Sequence, residues 1–148
     1  MRQLCILLVF WILSGCVDNT LSSLGPLEGI WEMQYYEWHF GDTVITWTAD
    51  ETHKMTKAFG KETFVMAQMD PLEDGSGGLK AIGGSGNYKL KGDTLYQTFE
   101  LFAIMELLGE LNLYRIKLSN DSLFQEGPLR KLGEENDFQL YEIYKRRE

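Results

Sequence analysis

The chain is poor in cysteine: Cys5 and Cys16 are its only two, both near the start. A disulfide framework across the body of the protein is therefore excluded, and an apolar core has to hold the fold. Histidine is equally scarce, with His39 and His53 alone. A metal centre would have to be built from carboxylates at no recognisable spacing, so no metal and no cofactor is expected. Both histidines read as surface residues at strand ends. Basic charge is the third shortage, with 14 Lys and Arg against 22 Asp and Glu, for a net charge of −8. The densest basic group, Lys145-Arg146-Arg147, is followed directly by Glu148, which argues against nucleic acid as a partner. The acidic balance is read as serving solubility. Long apolar runs are also missing. The run Leu4 to Leu13 has ten residues, whereas a membrane-crossing helix needs roughly 20.

That run suits export instead. Arg2 precedes it and the small residues Ser14, Gly15 and Cys16 follow, which is the three-part layout of a cleaved signal. Leu13-Ser14-Gly15-Cys16 resembles the lipobox of bacterial lipoproteins, where the signal is cut before a cysteine whose sulfur receives a diacylglycerol and whose new amine is acylated. The resemblance implies a signal peptide over 1–15, lipidation at Cys16 with palmitate-type chains, and a tether over 16–26. It also implies a membrane partner through acylated Cys16, and a place in the cell envelope of a Gram-negative bacterium, at its outer membrane. Each buried methylene contributes about 0.8 kcal/mol, so such an anchor needs no protein surface. The remainder suits one domain, 27–148.

Along that domain, runs rich in aromatic and β-branched residues alternate with Gly, Asp and Asn, the pattern of an antiparallel β protein. Strands are expected over Ile30–Phe40, Thr43–Ala49, Glu62–Met69, Leu79–Leu90, Thr94–Phe102, Leu111–Leu118, Ser122–Glu126 and Phe138–Arg146, with a short extra one over Lys54–Phe59. Gly41-Asp42, Gly92-Asp93 and Asn120-Asp121 stand where tight hairpin turns are needed. Phe102 to Leu108 carries helix formers and ends at Gly109, so a short helix is expected near 103–108. Asp70–Gly78 and Leu129–Asn136 read as loops. About eight hairpin-linked strands can remove their exposed edges by closing, so the expected fold is all-β, a single up-and-down antiparallel barrel.

The first strand changes face. Trp31, Met33 and Tyr35 alternate on one side, then the apolar set moves to Tyr36, Trp38 and Phe40, which calls for a bulge or sharp bend. Gly29-Ile30-Trp31 is similar to the Gly-x-Trp signature of lipocalins, and Arg146 matches the arginine that packs across that tryptophan. The wider layout resembles small lipocalin-like bacterial lipoproteins: His53-Lys54-Met55 leading to Phe64-Val65, then Gly84 to Thr98, Asp121-Ser122-Leu123, and Tyr141 to Arg146. The resemblance implies a calycin-type barrel closed structurally by Gly29, Trp31 and Arg146, and it transfers fold far better than function. Gln97 stands where relatives often have a glutamate, and Tyr144 where they often have a tryptophan.

No catalytic residue is assigned and an enzyme is not expected. Ser85 in Gly83-Gly84-Ser85-Gly86 lacks the Gly-x-Ser-x-Gly pattern and its strand-to-helix context. The glycine-rich run from Gly75 to Gly86 lacks the lysine of a phosphate loop. Glu142 reads as an ion-pair partner. Two functions remain for a monomeric barrel. It reads as a carrier of a small apolar ligand, with Tyr36, Trp38, Phe64, Tyr88 and Phe99 as candidate walls, or as a filled, non-catalytic interaction module of the envelope.

Overall fold

Alternating side chains and Gly- or Asn-led turns produce nine strands in the computed structural model, which describes residues 25–72, 74–103, 105–128 and 139–148. They are β1 (Gly29–Phe40), β2 (Thr43–Thr48), β3 (Lys54–Phe59), β4 (Thr63–Pro71), β5 (Leu79–Lys91), β6 (Thr94–Phe102), β7 (Leu111–Ser119), β8 (Ser122–Pro128) and β9 (Gln139–Arg146). Gly41, Gly92 and Asn120 take φ of 53°, 62° and 53° at the first position of their two-residue turns. Positive φ is cheapest for glycine and asparagine, which is why these residues can reverse the chain so sharply. The expected signal, Cys16 and the expected tether as far as residue 24 lie outside the described residues, as do the expected 129–136 loop and Phe138.

Strands β3 to β9 pair antiparallel in sequence, and β9 returns to β1 along Trp31–His39. The other edge of β1 is divided. Gly29–Glu32 pairs with β3, while Tyr35–Phe40 pairs with β2. Eight strands, β1 and β3–β9, thus close an antiparallel barrel, and β2 is an additional strand folded back along the upper half of β1. Closure satisfies backbone groups that an open sheet would leave at its edges. Among the described residues helix is almost absent: where a short helix is expected near 103–108, Met105–Leu107 forms a single 3₁₀ turn. Gly109 at φ 75° ends it, and its N–H bonds the Phe99 carbonyl at 2.8 Å, tying the turn back onto β6.

Two strands change face by carrying one extra residue. Met33 pairs with Tyr144 and Tyr35 with Ile143, so Gln34 is left over on β1. Trp31, Met33 and Tyr36 are buried on the inner side. Tyr35 falls outside, a departure from the expected alternation, and donates to Glu37 Oε2 at 2.7 Å. Ser85 pairs with Leu101 and Gly86 with Phe99, which leaves Glu100 over on β6. Each bulge turns the next apolar residues inward and adds local twist. Opposite the second bulge, Gly86 lets β5 approach β6 very closely: a Cβ there would lie 1.9 Å from the Thr98 carbonyl oxygen.

Candidate functional site

The barrel is sealed at the end that holds the chain's entry into β1. Trp31 is fully buried and its indole N–H donates to the Leu27 carbonyl at 2.7 Å. Arg146 lies across the ring, its guanidinium carbon 4.3 Å from the centroid. The same guanidinium donates to the Glu28 carbonyl at 2.6 Å and the Pro26 carbonyl at 2.8 Å. Gly29 has φ 131°, and a Cβ there would sit 2.8 Å from Arg146 Nη1, so glycine leaves the room the arginine occupies. Above this plug, Phe59 meets Tyr88 edge-on at 5.1 Å, and Phe64 meets Phe99 at 5.2 Å. The Tyr88 hydroxyl donates to the Gly60 carbonyl at 2.6 Å.

The opposite half is hollow, with a cavity of about 600 Å³. On one wall Tyr36 stacks with Trp38 at 4.7 Å and with Trp47 at 4.9 Å, the rings tilted by 26° and 30°. Register explains the grouping: Tyr36 sits directly across from Trp47 of β2, and Trp38 is its neighbour on the same face of β1. On another side Phe99 stacks with Phe102 at 4.2 Å, and Leu107 of the 3₁₀ turn also lines the cavity. Gly84 makes this possible, since a Cβ there would fall 2.5 Å from the Phe102 ring. Near the mouth lie His53, Gln68, Asp70 and Lys80.

Of the candidate ligand walls, Tyr36, Trp38 and Phe99 line this cavity. Phe64 and Tyr88 also point inward, but they lie among the residues packed toward the sealed end and do not line it. Trp47, Met55, Met66, Phe102 and Leu140 line it without having been singled out in the sequence. His53 also borders it, edge-on to Trp47 at 5.6 Å. The turn that carries His53 is fastened by Asp50. Backbone N–H groups of His53 and Thr52 bond its carboxylate at 2.8 and 2.7 Å and, with the Thr52 hydroxyl, hold its pKa well below the usual range.

The inner end of the cavity is polar. Lys57 Nζ lies 2.8 Å from Glu142 Oε2, with both side chains almost wholly buried. The Tyr144 hydroxyl donates to the same oxygen at 2.6 Å, and Lys57 Nζ stands 4.7 Å from the Tyr144 ring centroid. Glu142 is thus an ion-pair partner. Gln97 and Tyr114 complete this layer. Burial pushes the Tyr144 and Tyr114 hydroxyls far up, and the Glu142 charge pushes both further. Burial raises Tyr36 as well, followed by the charges of Asp70 and Glu142. Among the described residues, no group of three or more His, Cys, Asp or Glu could hold a metal ion.

No family model matches the sequence, and no curated protein matches it. Among solved structures, the chain is similar to an uncharacterized protein from Bacteroides eggerthii, with TM-score 0.47 and 15% identity over 82% of this chain and 99% of that one. It is similar to lobster apocrustacyanin A1, with TM-score 0.43 and 12% identity over 82% of this chain and 61% of that one. A third similar structure is Rv2717c from M. tuberculosis, with TM-score 0.43 and 13% identity over 88% and 98% of the two chains. The hydrogen-bond ladder itself shows the fold: closure of β1 on β9 makes an eight-stranded antiparallel barrel.

Proposed function

We propose that the protein is a lipid-anchored component of the bacterial cell envelope whose barrel binds and carries a small, largely apolar molecule. The observation that carries the binding half is the cavity of about 600 Å³ with the Tyr36–Trp38–Trp47 stack on one wall. That volume falls within the roughly 300–1,000 Å³ of small-molecule sites, and aromatic walls with a few polar groups at the inner end are their usual lining. The anchoring half is supported by Leu13-Ser14-Gly15-Cys16 after its apolar run. No catalytic role belongs to this reading.

Native mass spectrometry on protein purified from its own host is the direct test. A retained small molecule is expected. An empty barrel that also fails to bind an uncharged hydrophobic fluorophore would favour the interaction module instead. For the anchor, Cys16→Ser is expected to abolish acylation and release the protein from the membrane fraction. Unchanged mass with unchanged membrane retention would defeat it.

A further inference from the structure

A lysine at the inner end of an apolar cavity would ordinarily be the feature that selects a carboxylate. Here the Lys57 ammonium already has a counter-ion 2.8 Å away in Glu142, and both side chains lie in the barrel interior. An entering carboxylate would meet the cation and the fixed anion together, so the two interactions largely cancel while its own desolvation cost remains. We propose that the cavity takes molecules with an apolar, ring-sized body and an uncharged polar group, such as an alcohol, carbonyl or amide, and rejects their carboxylate counterparts, with Glu142 setting this preference by neutralising Lys57. The inference rests on the ligand-binding reading above.

Four further observations point the same way. Glu142 Oε2 is held by the Tyr144 hydroxyl as well as by Lys57, so the carboxylate is fastened in place and does not swing aside for an incoming anion. Among the described lining residues, Lys57 and Lys80 are matched by Asp70 and Glu142, which leaves no surplus positive charge among them to attract an acid. The Tyr36 hydroxyl, at the aromatic wall, feels both of those carboxylates, and a ligand anion placed there would feel the same repulsion. Outside the cavity, the chain's net charge of −8 adds a field that disfavours anions on approach. An uncharged group meets none of these penalties, and the Gln97 carboxamide at the inner end can exchange hydrogen bonds with it.

A matched pair of probes tests this: 2-naphthalenemethanol and 2-naphthoate, titrated calorimetrically into the full chain at neutral pH. The alcohol is expected to bind at least about tenfold more tightly than the carboxylate. In Glu142→Gln, where Lys57 loses its counter-ion but keeps a neutral hydrogen-bond partner, the preference is expected to vanish or reverse through a gain in carboxylate affinity. Equal or tighter carboxylate binding by the unmodified chain would overturn the inference while leaving the binding site intact, and that comparison decides even if Glu142→Gln does not fold. A folded Glu142→Gln that keeps the full preference would overturn the role given to Glu142. Failure of both probes to bind the unmodified chain would instead remove the carrier reading, and the inference with it.

Discussion

The two ends of this barrel solve opposite problems with the same residue types. At the sealed end an indole, a guanidinium and three backbone carbonyls are locked together, and no room is left even for a Cβ on Gly29. At the open end the aromatics stack on one another around empty space. Its extra strand β2 pairs with β1 alone among the described strands. Trp47 Nε1 there and Gln97 Oε1 at the cavity's inner end are buried without a hydrogen-bond partner among the described residues. The contrast teaches that aromatic content alone does not say whether a barrel is filled. What decides is whether polar anchors pull the rings into the axis or glycines and bulges hold the walls apart.

Substitutions at the two ends should therefore separate stability from binding. The largest loss is expected for Trp31→Ala, about 3–5 kcal/mol in denaturant unfolding, because the indole is fully buried and the seal cannot collapse onto the gap. A loss below about 1 kcal/mol would mean that the sealed end is not the main source of stability. Next comes Gly86→Ala. Its new methyl would collide with the Thr98 carbonyl, a backbone atom that cannot swing away, and overpacking of this kind costs about 1–3 kcal/mol. A thermal melt that matches the unmodified chain would show that β5 and β6 can separate freely.

Arg146→Lys should cost about 0.5–2 kcal/mol, since lysine keeps the charge but loses the planar group that lies over Trp31 and donates to two carbonyls. Arg147→Lys is the control. Its exposed contact to Glu32 at 3.4 Å should be worth under about 0.5 kcal/mol, so its melt should not move. Equal melts for the two lysine variants would separate Arg146 from the seal. A small stability change, below about 1 kcal/mol, is expected for Trp47→Ala at the open end, because the ring is only partly buried and rests on an extra strand. Affinity for 2-naphthalenemethanol should nevertheless fall at least about tenfold. Binding that survives would place the ligand away from the Tyr36 stack.

Much of this architecture was written in alternation and turns. The strand sequence, the Gly-Asp and Asn-Asp reversals and the face change in β1 all follow from local residue pattern, because side-chain direction in a strand is a local property. Height along the barrel axis is not. Phe64 and Tyr88 carry the same inward alternation as Tyr36 and Phe99, yet they sit toward the sealed end, since neighbouring strands run in opposite directions and their register fixes the level of each ring. Glu142 was read as an ion-pair partner, but its pairing with Lys57 escaped for a related reason. The two lie 85 residues apart and meet only because β3 and β9 flank the same strand. Trp47 was hidden too, because its inward position depends on pairing with Tyr36.

Gln34 has one more implication, in the arithmetic of chain length. Removing a residue from a barrel strand ordinarily exchanges the inner and outer sides of everything beyond the cut. Here Met33 and Tyr35 already face consecutive residues of β9, Tyr144 and Ile143, with Gln34 looped out between them. A chain lacking Gln34 could pair with β9 without interruption and still keep Trp31, Met33, Tyr36 and Trp38 on the inside. It would give up the bonds of the Gln34 side-chain amide to the Glu32 and Met33 carbonyls and, between strands, the hydrogen bond from Ala49 N–H to the Gln34 carbonyl, made where β1 passes from β3 to β2. The middle of this strand is thus a point where single-residue length variation is compatible with the barrel, and the partner that registers the change is the strand outside the closed ring.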